Sequence, residues 1–183
     1  MKQAIAGVAP SELDEVTVMI VWPTITAVQT PPFGRLGCTL GRMYSIPYGI
    51  GPVLTVGNLL ALLSIPLALL IFASSLAPFI CRRYRLTNRR VTIEKLVLQL
   101  GRGWLPLAAP WVEDASVSLD NFDAIDIEVL KGQDWYPAGD LIFRKGAVET
   151  LRLPGVSRPE TFRQTCLKAH QSHVGVKAAV ART

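Results

Sequence analysis

The chain has 183 residues, half of them hydrophobic and 18% charged, with a mean hydropathy of +0.32. That is too apolar for a disordered chain and high for an ordinary soluble domain, while the length leaves room for one folded domain with an anchor and excludes a multidomain enzyme or repeat array. The net charge of +5 lies wholly from Arg82 onward, where 16 basic and 11 acidic residues follow a first part holding three of each.

Residues 1–10 contain one lysine and a short Ala/Gly/Val stretch closed by Pro10, without the apolar core of about 7 to 15 residues that a secretory signal needs. Residues 16–28, VTVMIVWPTITAV, are dominated by β-branched side chains and interrupted by Pro23. This composition suits a strand or an interfacial segment better than a helix through lipid, with a second span as the competing reading. Across 33–44, Leu36, Leu40, Met43 and Tyr44 share one helical face with Arg35 and Arg42 elsewhere, which predicts a short helix lying on lipid headgroups. Its glycines weaken it, and Gly37 and Gly41 form a GxxxG pattern that hints at close helix packing.

Between Arg42 and Arg82 no residue is charged. Within this gap, residues 59–80 read LLALLSIPLALLIFASSLAPFI, and their only polar side chains are serines able to bond back to helix carbonyls. As a helix the stretch would reach about 33 Å, enough for a hydrocarbon core of about 30 Å. The expectation is therefore a transmembrane helix within 51–81, preferred over a buried core helix, kinked at Pro66 and leaving the membrane near Pro78. Arg82, Arg83, Arg85, Arg89, Arg90 and Lys95 follow it closely, against Arg42 alone before it, which places the C-terminal part in the cytoplasm. Cys38, Cys81 and Cys166 are odd in number, widely separated and without a CxxC pattern, as expected in a reducing compartment.

From Arg83 the apolar run gives way to short alternating segments separated by turn residues, the pattern of antiparallel strands. Strands are predicted over 83–86, 91–98, 115–119, 124–130, 140–143 and 148–153, with Asn88 in the first hairpin turn. After Pro154 and Gly155 the period becomes helical, with Phe162, Cys166 and Ala169 or His170 in one stripe, and residues 173–183 are expected to form a flexible tail.

The stretch Tyr84-Arg-Leu-Thr-Asn-Arg-Arg-Val91, with Val117-Ser-Leu-Asp-Asn-Phe122, Gly139-Asp-Leu-Ile-Phe143 and the closing helix, resembles the bacterial pleckstrin-homology-like (PH-like) domains that follow membrane spans. The resemblance covers roughly 82–171 and implies a bent antiparallel sheet or barrel capped by a C-terminal helix. Residues 98–114 depart from the short forms of that family and read as an insertion. The expected fold is thus a membrane-anchored α+β protein: a membrane-associated region over 1–50, a transmembrane helix over 51–81, a cytoplasmic PH-like domain over 82–172 and a tail. The localisation implied is integral to a bacterial inner membrane. Such folds bind lipids, peptides or proteins, so the family alone does not name the ligand.

No catalytic or cofactor motif is present. Cys166, His170 and His173 give C-x3-H-x2-H on the last helix, but a closed zinc site needs a fourth ligand, and an incidental helix end is the favoured reading. Asp120, Asp123 and Asp126 lack the glycine and terminal glutamate of a calcium loop. The glycines near 49–57 are not followed by Gly-Lys-Ser/Thr, and no serine sits in a nucleophile elbow. The basic run has three readings. It is a topological flank resting on anionic headgroups, a phosphate pocket built from Arg85, Arg89 and Arg90, or, weakest, a nucleic-acid site, for which stacking aromatics other than Tyr84 are missing. Arg82, Arg83, Trp104 and Trp111 are candidate membrane-interface residues, the tryptophans alternatively capping the open end of the sheet. Trp135 and Tyr136, in a glycine-bounded loop, are the candidate partner-binding tip. The function expected is a non-enzymatic protein or peptide interaction module at the membrane, with membrane lipids and a protein partner or second copy as ligands, no nucleic acid, and headgroup binding as the alternative.

Overall fold

Alternation of apolar and polar side chains from Arg82 to Leu96 builds a hairpin whose inward residues, Tyr84, Leu86, Val91 and Ile93, are buried. The computed structural model describes residues 15–29, 34–50, 54–77, 80–97 and 110–180; Phe33, Pro78 and Trp104 lie outside them. In chain order the elements are β1 (Thr17–Val21), a 3-10 turn (Ile25–Ala27), α1 (Leu36–Tyr44), the short β2 (Gly49–Ile50) and β3 (Leu54–Thr55), α2 (Val56–Leu63) and α3 (Ile65–Ser75). Then come β4 (Arg82–Thr87), β5 (Arg90–Leu96), β6 (Trp111–Ser118), β7 (Ala124–Glu128), β8 (Ala138–Lys145), β9 (Val148–Ser157) and α4 (Pro159–Val180).

Two antiparallel sheets, β1-β4-β5-β6 and β7-β8-β9, carry the fold, with β2 and β3 forming a separate ribbon. Register shifts within β5–β6 and β8–β9 are the bulges that let such strands bend. The inner faces of both sheets and one stripe of α4 meet in a single core containing Tyr84, Val117, Phe122, Leu141, Phe143, Leu153, Phe162 and Cys166. Phe122 and Phe143 pack edge to face at 5.1 Å, and the buried Tyr84 hydroxyl donates to the Pro154 carbonyl at 2.7 Å, tying the first sheet to β9. The α+β class, the bent antiparallel sheets and the C-terminal helix agree with the sequence pattern. The helix continues through the segment expected as a tail, because His173 and Lys177 both reach Asp120 at the end of β6. Trp111 to Asp114, read as insertion, belong to β6.

The first part of the chain differs more. The run expected as one spanning helix is two helices meeting at Ser64 with their axes bent by 57°. Pro66 accounts for the break: it has no N–H to donate, its ring would clash with the carbonyl of Leu62, and it sits in the first turn of α3, where proline is tolerated. Among the described residues no single helix is long and apolar enough to cross a membrane. Nor are residues 15–44 a region apart from the C-terminal domain. Strand β1 lies antiparallel to β4, with Ile20 opposite Arg85 and Val21 opposite Tyr84. Helix α1 turns Leu40 and Tyr44 inward rather than onto headgroups. Its Gly41 packs so closely on the loop before β8 that a Cβ would lie 2.0 Å from the Gly132 carbonyl oxygen.

A buried carboxylate fastens this arrangement. Asp140, in β8, is inaccessible to solvent. Arg35 Nη1 donates to both of its oxygens at 2.9 and 2.8 Å, Gln133 Nε2 donates at 2.8 Å and the Gly155 N–H at 2.9 Å. Gly155 takes φ +62°, and its Cβ would meet the Ala27 backbone, so glycine lets β9 donate to Asp140 while touching the N-terminal segment. Removing one member of a buried pair strands the others. Asp140→Ala is expected to cost about 3–5 kcal/mol of stability, measured by chemical denaturation of the full chain in detergent, with Asp140→Asn costing less because it keeps an acceptor.

Candidate functional site

The apolar surface of α2 and α3 is arranged the opposite way to that of a water-soluble helix. The residues facing the body are Gly57, Ala61, Ser64, Ala68, Ile71 and Ser75, spaced three and four apart on one stripe and mostly small. The stripe seats the pair on α1: a Cβ on Gly57 would collide with the Tyr44 carbonyl, Ile71 is 4% exposed, and the Tyr44 and Ser64 hydroxyls share a hydrogen bond. The large side chains point away. Leu63 is 71% exposed and Leu70 67%, and Leu59, Leu62, Leu69, Phe72 and Leu76 are all more than half exposed. Small residues inward and leucines outward are what helices packing in lipid require.

This surface borders one end of the larger sheet. The ends of β1, β4, β5 and β6 come together there, with Val21 opposite Tyr84, Arg82 opposite Lys95 and Leu96 opposite Trp111. Trp22 and Trp111 pack edge to face at 5.6 Å, and the Arg83 guanidinium stacks 4.2 Å above the Trp111 ring. Arg83 also pairs with Glu94, whereas no carboxylate among the described residues pairs with Arg82 or Arg42. Thus Arg82, Arg83 and Trp111 share one rim, joined by Trp22, which periodicity did not single out. Between the rim and α3 lies a cavity of about 420 Å³, walled by Val28, Phe72, Leu76 and Trp22, with Thr24 and Arg82 among its polar lining.

The arginines of the first hairpin are otherwise engaged. Arg90 donates through Nε and Nη2 to the two oxygens of Glu15, each at 2.9 Å, and its Nη1 lies 2.9 Å from Glu113. Arg85 sits 3.3 Å from Glu94, with its Nε buried and without a hydrogen-bond partner. Arg85 and Arg90 therefore surround carboxylates from three elements, and a phosphate at this place would compete with Glu15, Glu94 and Glu113. Arg89 lies in the turn between β4 and β5 and gives its carbonyl to the Leu119 N–H.

The loop before β8 faces the body as well as solvent. Gln133 is buried on Asp140, and Tyr136 packs with Tyr44 and Trp135 in an aromatic cluster whose Tyr136 hydroxyl is buried. Burial raises the Tyr136 phenol well above its ordinary value. Trp135 remains 46% exposed and is the part of this loop a partner could touch. On α4, Cys166 is inside the core with its thiol pushed up to about 12 by burial, His170 Nδ1 donates to the Leu119 carbonyl at 2.6 Å, and His173 lies 3.3 Å from Asp120. The C-x3-H-x2-H residues thus serve three separate structural contacts, and among the described residues no group of three His, Cys, Asp or Glu is placed to hold a metal.

The chain matches no family model, no curated protein and no solved structure.

The Glu15–Arg90 pair joins the chain two residues before β1 to the β4–β5 hairpin. The Arg90 hydrogen bond lowers the Glu15 carboxyl from 4.5 to about 2, burial opposing and Thr87 adding to the effect. Because the folded value is depressed, the stabilisation is complete above 4.5 and drains away as the pH falls to about 2. The stability difference between the wild-type chain and Glu15→Gln, measured by denaturation across that range, is expected to be constant near neutrality and to vanish toward pH 2.

Proposed function

We propose that this protein is a non-enzymatic, membrane-bound interaction module of PH-like fold, held at the cytoplasmic face of a bacterial inner membrane by α2 and α3. Its first ligand is the lipid bilayer, and its folded body offers a platform to a protein partner or a second copy. The observation that carries the reading is the uncharged surface of outward leucines beside a rim of tryptophan and arginine. A contiguous apolar patch of this kind marks an interaction site, and Trp with Arg at its border fits the depth at which water, headgroups and hydrocarbon meet. The PH-like assignment is supported by two bent antiparallel sheets followed by a C-terminal helix whose stripe of Phe162, Cys166 and Ala169 fills the core. The half-exposed Trp135 is the candidate contact for a protein partner.

A second reading, recognition of an individual anionic lipid, is favoured by the cavity at the rim. Its apolar wall would accept an acyl chain while Arg82 faces the headgroup, which moves the phosphate contact from Arg85, Arg89 and Arg90 to Arg82.

Flotation of the full chain with vesicles tests both readings. The wild-type protein is expected to float with phosphatidylcholine vesicles and more completely when phosphatidylglycerol is added. Leu63→Asp with Leu70→Asp places two carboxylates against hydrocarbon at on the order of a few kcal/mol each, and the double variant is expected to stay in the soluble fraction. A double variant that still floats, or a wild type that does not, would contradict the membrane reading. Dependence on headgroup identity at equal vesicle charge, lost in Arg82→Ala, would favour the second.

A further inference from the structure

We infer that α2 and α3 do not cross the membrane but lie in the plane of one leaflet, so that the chain before and after them occupies the same face of the bilayer. This rests on the membrane-binding reading above and adds the topology. A single crossing would separate residues 15–44 from the domain that starts at Arg82. The structure joins them in one body: β1 is hydrogen-bonded to β4 along its length, Arg90 holds Glu15, the Thr24 N–H and hydroxyl both donate to the Gly155 carbonyl, and Arg35 closes on Asp140. The apolar segment must therefore leave and return on one side.

Its dimensions agree. Eight residues of α2 and 11 of α3 are about 12 and 16 Å long at 1.5 Å per residue, so neither alone spans a hydrocarbon core of about 30 Å, and the 57° bend between them keeps the pair from standing as one straight rod. Two crossings would need about 40 apolar residues, more than the uncharged gap supplies. The inner stripe settles how the pair sits. Gly57 and Ser64 both meet Tyr44 of α1, Ile71 is buried in one cluster with Leu40 and Tyr44, and α3 packs on the 3-10 turn, so the pair lies along the body instead of projecting from it. An in-plane helix buries its apolar side to a depth of about 5–10 Å. The leucine face suits that depth, and the rim supplies the level of the headgroups: Trp22 and Trp111 as interfacial aromatics, with Arg82 complementing anionic lipid. The occupant of this face is thus one leaflet of an anionic bilayer.

The experiment uses the full chain in bacterial membranes, with single cysteines introduced at three exposed positions and a membrane-impermeant maleimide as the probe. The native cysteines are buried, so the unaltered chain gives the background. Thr17→Cys reports the segment before the helices, Val148→Cys the domain after them, and Leu63→Cys the apolar face. The expected result is labelling of Thr17→Cys and Val148→Cys in inside-out vesicles and not in right-side-out ones, with Leu63→Cys unlabelled in both until detergent is added. Labelling of Thr17→Cys and Val148→Cys from opposite faces would overturn the in-plane topology while leaving membrane binding intact, whereas labelling of Leu63→Cys from either face without detergent would place the leucine face in water and overturn both. Recovery of the chain in the soluble fraction, with Leu63→Cys shielded in a sedimenting dimer, would overturn both and assign the leucine face to a second copy.

Discussion

A carboxylate shut away from water holds two distant parts of this chain together. Asp140 lies within the apolar first part of β8, Ala138–Phe143, and meets Arg35 at the entry to α1, Gln133 from the preceding loop and the Gly155 amide from β9. A buried charge is tolerable only when it is paired and hydrogen-bonded, so these groups must stay where they are. With Arg35 fixed, α1 is fixed, and Tyr44 delivers the chain to α2 at the same end of the body where Cys81 brings it back into β4. The apolar helices are consequently a loop on a closed body rather than a rod between two regions.

That placement decides which force dominates at the surface. Taking an exposed leucine or phenylalanine fully out of water is worth about 1.5–3 kcal/mol, and the outer face of α2 and α3 presents a whole cluster of them. Cations at a headgroup surface contribute about 1 kcal/mol each, and several here are already paired: Arg83 and Arg85 with Glu94, Arg90 with Glu15 and Glu113. In the membrane-bound state proposed above, burial of the leucines would therefore supply most of the affinity for a bilayer. The rim cation without a carboxylate partner, Arg82, would bias it toward anionic lipid. A phosphate approaching Arg85 or Arg90 would have to compete with the carboxylates of Glu94, Glu15 and Glu113.

Much of the architecture was legible where the signal is local. The β4–β5 hairpin around Asn88, the later strands and the Phe162–Cys166–Ala169 stripe all follow from period and turn chemistry within a few residues. Pro66 announced a kink, although not that the helix would divide there. What escaped depends on partners far along the chain. Nothing near residues 16–28 says that their strand pairs with β4, and the inward face of α1 is decided by Asp140, 105 residues from Arg35. An acid inside the apolar run AGDLIF was the available sign that a buried counter-ion was needed. Arg82 and Arg83 stood out in sequence as the cationic flank of the apolar run and Trp111 as a tryptophan of the 98–114 segment; the strand pairing brings the three together and adds Trp22.

The proposed in-plane topology requires β1 to stay paired with β4 when the chain is on a membrane, and a disulfide across that pair tests it most directly. Ile20 and Arg85 face each other in the register, and directly opposed residues of antiparallel strands have Cα atoms about 4.5–5.5 Å apart, within disulfide reach. In native membranes, Ile20→Cys with Arg85→Cys is predicted to form an intramolecular disulfide on mild oxidation, without loss of membrane association. Failure to crosslink in membranes, with crosslinking restored only after detergent extraction, would mean that the two flanks lie apart in the bilayer and would contradict the account.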